Sequence, residues 1–400
     1  MFVDTQGPLQ RRRRRAYRRK GAIVVLAAIL MVFVVLVLAL AIDVGYIVNV
    51  RTEAQRCADA SALAGAWELL GEDRLREDYA LVFSRARQKA IDIAAKNKVG
   101  ATQNPDLREN LFNYDHDGDI LLGRLNSPWN QSETLSFNDP ARYNALQVTV
   151  RCTADRNQQS PLFFGRFVGR EFFDMEASAT AVFADSIRGF TAPKNGKNPS
   201  LLPFAVNIED WNNQILNALG GDQMSFDNGV ISSLSDGIPE MKLYPSKMSD
   251  NYEDTTGSGN WGTIDIGADS NSAADIARQI LEGPNATDLE KYDGRFELDE
   301  ITGTIDVDGD AGISTKIKDP LAKIKGKPRT LPLYQTLNLN GDNATYTLVG
   351  FVGIRILDLK MTGNKRYVLI QPAYVFDSTA ISSNGPGNSY FIGQPVHLAR

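Results

Sequence analysis

An unbroken apolar run, GAIVVLAAILMVFVVLVLALAI, fills residues 21–42, and RRRRRAYRRK stands directly before it at residues 11–20. At ~1.5 Å per helical residue the run reaches ~33 Å, enough to cross a hydrocarbon core of ~30 Å. It predicts a transmembrane helix. The triplet Ala39-Leu40-Ala41 suits signal-peptide cleavage, but the run exceeds the ~7–15 apolar residues of a secretory core, which predicts an uncleaved anchor. Lys and Arg beside a first helix are retained in the cytoplasm and sit on anionic headgroups, so the body after residue 42 is expected outside.

Past the run, helix-forming residues continue, and Ala58, Ala60, Ala62, Ala64, Gly65 and Ala66 cluster after Cys57, predicting that the helix leaves the membrane as a stem. Residues 72–100 place Leu75, Tyr79, Val82, Phe83, Ala86, Ala90, Ile93 and Ala94 on one helical face, with Gly100 as the stop. This second helix can fold back on the first. Alternation then takes over: Leu146, Val148 and Val150 against Gln147, Thr149 and Arg151, and Met175, Ala177, Ala179 and Ala181 at alternate positions, read as half-buried strands. Between them PLFFGRFVG (161–169) predicts a short buried helix or a membrane-proximal apolar turn, core packing being the favoured reading.

Residues 191–200 carry Pro, Gly, Asn and Lys without periodicity and mark a linker. Beyond it, strands over 331–337, 346–359 and 367–376 mix with helices at SAADIARQILEG, capped by Asn271 or Ser272, and at about 313–325. Residues 249–260 read as an acidic loop. The fold class is α+β: an N-terminal transmembrane helix extended into a helical stem or hairpin, then two mixed, strand-rich extracytoplasmic domains. The segments are 1–20 (basic, cytoplasmic), 21–42 (transmembrane), 43–100 (stem), 101–190 (first strand-rich domain), 191–200 (linker) and 201–400 (C-terminal α+β domain).

Composition sharpens this picture. With 43% hydrophobic and 23% charged residues the chain is not a disordered one. The net charge of −5 hides an asymmetry: residues 1–20 hold eight Lys/Arg against Asp4, leaving 35 basic and 47 acidic residues after them. Only the first twenty residues can seek polyanions, and their abutment on the apolar run points to lipid headgroups rather than nucleic acid. Two cysteines, Cys57 and Cys152, are too few for a disulfide-stapled module, and their pairing is left open.

The residues 41–70, AIDVGYIVNVRTEAQRCADASALAGAWELL, resemble the N-terminal region of TadE/TadG-like proteins of the Flp (tight adherence) pilus assembly system, in which an anchor leads into DVG and an ADAAALAGA-like run. DILLGRL (119–125), YNALQVTVRC (143–152) and SPLFFGRFVGREFFDMEASATAVF (160–183) follow in the order of that family, so the likeness covers about 20–185 and makes 101–190 a TadG-like domain. LLPFAV (201–206), NWGTIDIG (260–267) and IQPA (370–373) are similar to C-terminal parts of some TadG-like proteins. Two departures matter. The von Willebrand A metal motif D-x-S-x-S is incomplete at both Asp269 and Asp377, and Leu26 stands where a prepilin-type relative, cut after Gly21, would carry Glu. The resemblance implies an anchored, non-enzymatic assembly protein whose partners are the bilayer and other Tad/Flp pilus-assembly proteins, without a von Willebrand A domain and without polymerisation as a pilin.

Candidate chemistry is sparse. DHDGD and DVDGD set Asp115, Asp117 and Asp119, and Asp306, Asp308 and Asp310, at alternate positions around a Gly, a pattern that can gather oxygen ligands for a weakly bound Ca²⁺. The EF-hand positions 6 and 12 fall on Ile120 and Asn126 and on Ala311 and Ile317, so the simpler reading is that each Asp-Gly supplies a positive-φ turn between strands. His116 and His397, neither near a Cys, read as surface residues. No phosphate loop or nucleophile elbow occurs, and no cofactor or catalytic residue is expected. Two alternatives remain open: a membrane-tethered binding module for glycans or surface polymers, stabilised by calcium, and an envelope hydrolase. Against the latter, the neighbouring carboxylates Asp299 and Glu300 would point apart on a strand.

Overall fold

The computed structural model describes residues 20–399 except 112, 114–117, 131, 194–195, 245–258, 268–271, 311–314, 341–342, 363–365 and 384–387. The chain starts as one helix, α1 (Lys20–Glu68), 49 residues long and therefore about 74 Å from end to end. From Val50 onward its buried positions are Val50, Ala54, Cys57, Ala58, Ser61, Ala62, Gly65 and Ala66, a stripe with the three-to-four residue spacing of one helical face. Helix α2 (Tyr79–Ala94) answers with Val82, Ala86, Ala90 and Ala94. Because both faces are small, the helices approach closely: a Cβ on Gly65 would stand 2.7 Å from Leu146 Cδ1 and 2.9 Å from the Ala86 carbonyl oxygen. Gly65 beside Ala86 and Ala90, with the Cys57 thiol over the Ala94 carbonyl at 3.9 Å, makes the pair an antiparallel hairpin.

The second helix begins seven residues later than the apolar spacing predicts. Residues Glu72–Arg74 form a 3₁₀ turn, and the Asp78 carboxylate accepts the Leu81 N–H at 3.1 Å, so the helix starts where a cap is available, and Leu75 is buried in the connection.

Three antiparallel strands lie against the hairpin: β1 (Ile120–Gly123), β2 (Ala145–Cys152) and β3 (Met175–Val182), in that order. The expected alternation holds, with Leu146, Val148 and Val150 buried and Ala177, Ala179 and Ala181 opposing them on the face toward α1 and α2. Thr180, on the other face, is also buried. The fourth strand of this sheet is His397–Leu398, paired with Val182 and Ala181. The chain thus returns from beyond residue 200 to the first sheet, and His397–Leu398 joins the two strand-rich segments.

The second sheet is built on a closed ring. Strands β4 (Phe204–Asn207), β5 (Trp261–Ile264), β6 (Ile305–Asp310), β7 (Arg329–Asn340) and β8 (Asn343–Lys360) pair in the order β4-β5-β6-β8-β7 and back to β4. A ring of five strands cannot be antiparallel throughout; the parallel pair is β4–β7, through Leu333 and Val206. Closure leaves no edge there to pair with another chain. Successive residues divide between two cores: Phe204 and Val206 pack with Trp261, Leu331 and Leu333, whereas Ala205 joins Tyr346, Leu348 and Phe351. β8 runs on past the ring to pair with β9 (Tyr367–Pro372), which in turn holds Met241–Leu243. The strand expected over 367–376 is therefore broken after Pro372. Ser272 is the cap of the helix Ala273–Glu282, its hydroxyl accepting the Asp275 N–H, while Asn271 lies outside the described residues. The molecule is α+β with a long apolar helix at its N-terminus.

Candidate functional site at the two ends of the stem

Along the first half of α1, large side chains point outward all round: Ile23, Leu30, Phe33 and Leu38 are 69, 60, 62 and 58% exposed, and no described residue covers the stretch. A contiguous apolar cylinder of this length is long and apolar enough to cross a membrane. The basic residues 11–19 lie outside the described residues.

Where the cylinder ends, Asp43 is only 6% exposed. Its carboxylate accepts the Phe163 N–H at 2.9 Å and the Phe164 N–H at 3.0 and 3.2 Å, so a loop 120 residues away closes over the first charge after the apolar run. A carboxylate at this depth is costly unless hydrogen-bonded, and the two backbone donors supply that. Tyr46, one turn further on, meets the rings of Phe163 and Phe173 edge-on at 5.2 and 6.2 Å. The loop is a small hairpin, Ser160–Pro161 paired with Phe172–Phe173, whose tip is the 3₁₀ turn Gly165–Val168 ended by left-handed Gly169 (φ 82°).

The favoured sequence reading of this loop as core packing is corrected here. Phe163, Phe167, Val168 and Phe172 are 54, 75, 78 and 51% exposed, because the inward face of α1 is already covered by α2, β2 and β3 and offers no room for phenyl rings. The stretch is instead an apolar turn beside the apolar helix.

The other end of the stem is polar and buried. Arg74 donates to the carbonyls of Leu69 (3.2 Å), Tyr143 (2.7 Å) and Ala141 (2.9 Å) and lies over the Phe183 ring. Glu72 pairs with Arg355 of β8 at 2.6 Å, and that guanidinium stacks 4.0 Å from the Phe226 centroid. Arg76 donates to the Asp236 carbonyl at 2.7 Å. The Glu72 and Arg76 contacts tie the hairpin to the region after residue 200, and they were missed because 72–78 reads as part of the second helix.

Of the six carboxylates singled out from the sequence, Asp115 and Asp117 lie outside the described residues, as does His116. Asp119 is buried between Arg151 and Arg156 (2.7 Å) and also accepts the Arg108 N–H at 2.6 Å. Its oxygens are taken up by cations. Asp306, Asp308 and Asp310 line the exposed face of β6, opposite Thr347, Thr345 and Asn343, and Thr347 donates to Asp306 at 2.6 Å. A strand sets alternate residues roughly 6.6 Å apart, wider than the ~5 Å across one calcium shell. Among the described residues no three His, Cys, Asp or Glu side chains form a group able to hold a metal. The reading of Asp-Gly as a positive-φ turn is corrected too. Neither Gly118 nor Gly309 has positive φ; Gly309 sits within β6, where a Cβ would strike the Thr263 carbonyl oxygen at 2.2 Å, so close backbone approach explains it.

Other reactive groups are built in. Cys57 and Cys152 are both buried free thiols, and burial pushes the pKa of the Cys152 thiol up. His397 is not a lone surface residue: its ring stacks on Trp129 at 4.4 Å. An open cleft of about 450 Å³ is lined by Lys197, Ser200, Glu282 and Arg329, and the Ser200 N–H donates to the Asp377 carboxylate at 2.6 Å.

Residues 21–68 match the family described as "Putative Flp pilus-assembly TadE/G-like", and residues 64–181 match "Putative Tad-like Flp pilus-assembly". Over these residues the chain is similar to Tad-like Flp pilus-assembly proteins. The first match coincides with α1, and the second runs from its last turn through α2 to β3, so the Tad-like segment is the stem hairpin with its sheet. The ring of strands after residue 200 lies outside both matches. No curated protein and no solved structure matches the chain. The Tad-like segment and the exposed apolar helix together fit a pilus-assembly component of the cell envelope.

Proposed function

We propose that this chain is a single-pass, non-enzymatic anchor of a Flp/Tad-type pilus or secretion apparatus, set in the cytoplasmic membrane with residues 1–20 inside and the body outside. The observation that carries the reading is the continuity of α1: one helix passes without a break from an uncovered apolar half into a half packed inside the body. A cleaved or flexible leader would not need that rigidity. The stem would hold the strand-rich body at a fixed height, where its exposed faces contact other pilus-assembly proteins, and Arg11–Arg15, Arg18, Arg19 and Lys20 would rest on anionic headgroups of the inner leaflet. Asp119, saturated by arginines, and the spread of Asp306, Asp308 and Asp310 give the calcium-dependent alternative no support.

The test is site-specific photo-crosslinking of the full chain in intact envelopes, with probes on the outward surface of the body, combined with protease accessibility from each side. Crosslinks to Tad or Flp components and digestion of the body from outside are the expected results. Recovery of no pilus-assembly protein, or a body digested only after the cytoplasm is opened, would overturn the proposal.

A further inference from the structure

We propose that the hairpin 160–173 is a second membrane contact, a wedge that enters the interface of the leaflet from which α1 emerges and sets the tilt and depth of the body. This rests on the reading of residues 21–42 as a membrane span. Three observations lead to it. The first is position: the hairpin is tied to Asp43, the first charged residue after the apolar run, by three contacts of 2.9–3.2 Å, so its height relative to the bilayer is fixed by the helix itself. The second is the nature of the exposed surface. Phe163, Phe167, Val168 and Phe172 are all more than half exposed, on a tip whose backbone turns tightly because Gly165 lies against the Arg170 carbonyl (a Cβ there would stand 2.4 Å away) and Gly169 takes positive φ. A tip that spends its tightest geometry on presenting apolar side chains outward is not a collapsed core.

The third observation is the arrangement of charge. Arg166 lies over the Phe167 ring at 5.6 Å, and Arg170 follows the tip, so cations flank the apolar apex as they do in segments lying at the headgroup boundary. Aromatic rings and arginines both favour that depth. One helix alone leaves the body free to rotate and tilt about its axis, whereas a lateral apolar contact beside the exit point removes that freedom. A protein partner could also cover the tip, but the continuity of its apolar surface with the lipid-facing helix through Tyr46 and Phe163 favours the bilayer.

The experiment places an environment-sensitive fluorophore on the full chain, reconstituted in vesicles of phosphatidylethanolamine and phosphatidylglycerol, at Phe167→Cys, Leu36→Cys or Glu77→Cys in separate samples; the two native thiols are buried. Leu36 reports the span, and Glu77 lies in the connection after α1, whose last residue, Glu68, stands about 38 Å past Asp43. Nitroxide-labelled lipids are expected to quench the Leu36 and Phe167 probes by roughly twofold or more, with the strongest effect at Phe167 from shallow nitroxides, and to leave Glu77 unquenched. Quenching at Leu36 with Phe167 as dark to lipid as Glu77 would overturn the wedge while leaving the anchor intact. Absence of quenching at both Leu36 and Phe167 would remove the anchor and the wedge with it. Equal quenching at all three sites would overturn the wedge by laying the whole body on the bilayer. A blue-shifted Phe167 probe that lipid nitroxides do not reach would overturn it in favour of contact with a second copy of the chain.

Discussion

The two halves of α1 share one backbone geometry and have opposite side-chain chemistry. Before Asp43 the helix carries Val, Leu, Ile and Phe, all exposed; after Val50, its buried face carries Ala, Cys, Ser and Gly. The difference follows from what surrounds each half. Lipid tails are fluid and fill any shape, so bulky side chains gain by presenting more apolar surface. A neighbouring helix and sheet are solid, and the backbones come close only where side chains are small. Side-chain size, rather than hydrophobicity, separates the uncovered half from the buried face of the packed half. Asp43, closed over by the aromatic hairpin, marks the changeover.

The comparison breaks most sharply if charge is placed in the first half. Val32→Arg with Leu36→Arg puts two guanidiniums on one face of the span at a cost of roughly 6 kcal/mol of insertion free energy, about 3 for each exchange. The carbonate-resistant fraction of the full chain should collapse, and an unchanged fraction would show that this half is not in lipid. Asp43→Ala acts at the changeover. It leaves the Phe163 and Phe164 N–H groups without their acceptor at a cost of about 1.5–3 kcal/mol, the range for hydrogen bonds to a charged group. We expect lower thermal stability in detergent and faster proteolysis at the hairpin. If neither changes, Asp43 does not hold the loop.

How much of this was legible in the sequence depended on distance along the chain. The long apolar helix, its continuation past Asp43 and the strands around Leu146 and Ala179 could be read because each signal is local: an uninterrupted apolar run, a spacing of three to four, an alternation of two. The hairpin's place was not, because Asp43 and Phe163 meet across 120 residues and a lone Asp after a helix reads as its exit. The ring was equally hidden, since its closing pair, Val206 with Leu333, is a parallel contact across a long stretch of chain with no local pattern. The start of α2 was misjudged because Leu75 fits the helical spacing, while Asp78 three residues later supplies the cap that decides the boundary. The calcium pattern at Asp115, Asp117 and Asp119 could not foresee Arg151 and Arg156, which converge on Asp119 from another strand and its following turn.

The finest test of the comparison uses two glycines of α1, Gly45 and Gly65. At Gly45 an added Cβ meets nothing within 4 Å, so Gly45→Ala should gain only the lower chain entropy and better helix propensity of alanine, about 0.5–1 kcal/mol. At Gly65 the same methyl collides with Leu146 Cδ1 at 2.7 Å, the Ala86 carbonyl oxygen at 2.9 Å and Ala90 Cβ at 3.2 Å. Leu146 could rotate, but the carbonyl belongs to α2 and moves only if the helices part. The overpacking cost of about 1–3 kcal/mol then exceeds the propensity gain, so Gly65→Ala should lower the melting temperature of the full chain while Gly45→Ala raises it slightly. One substitution on one helix would thus change sign within twenty residues. If both variants were stabilised, the hairpin would be loose enough to accept a methyl group, and small size in the second half of α1 would need another cause than close packing.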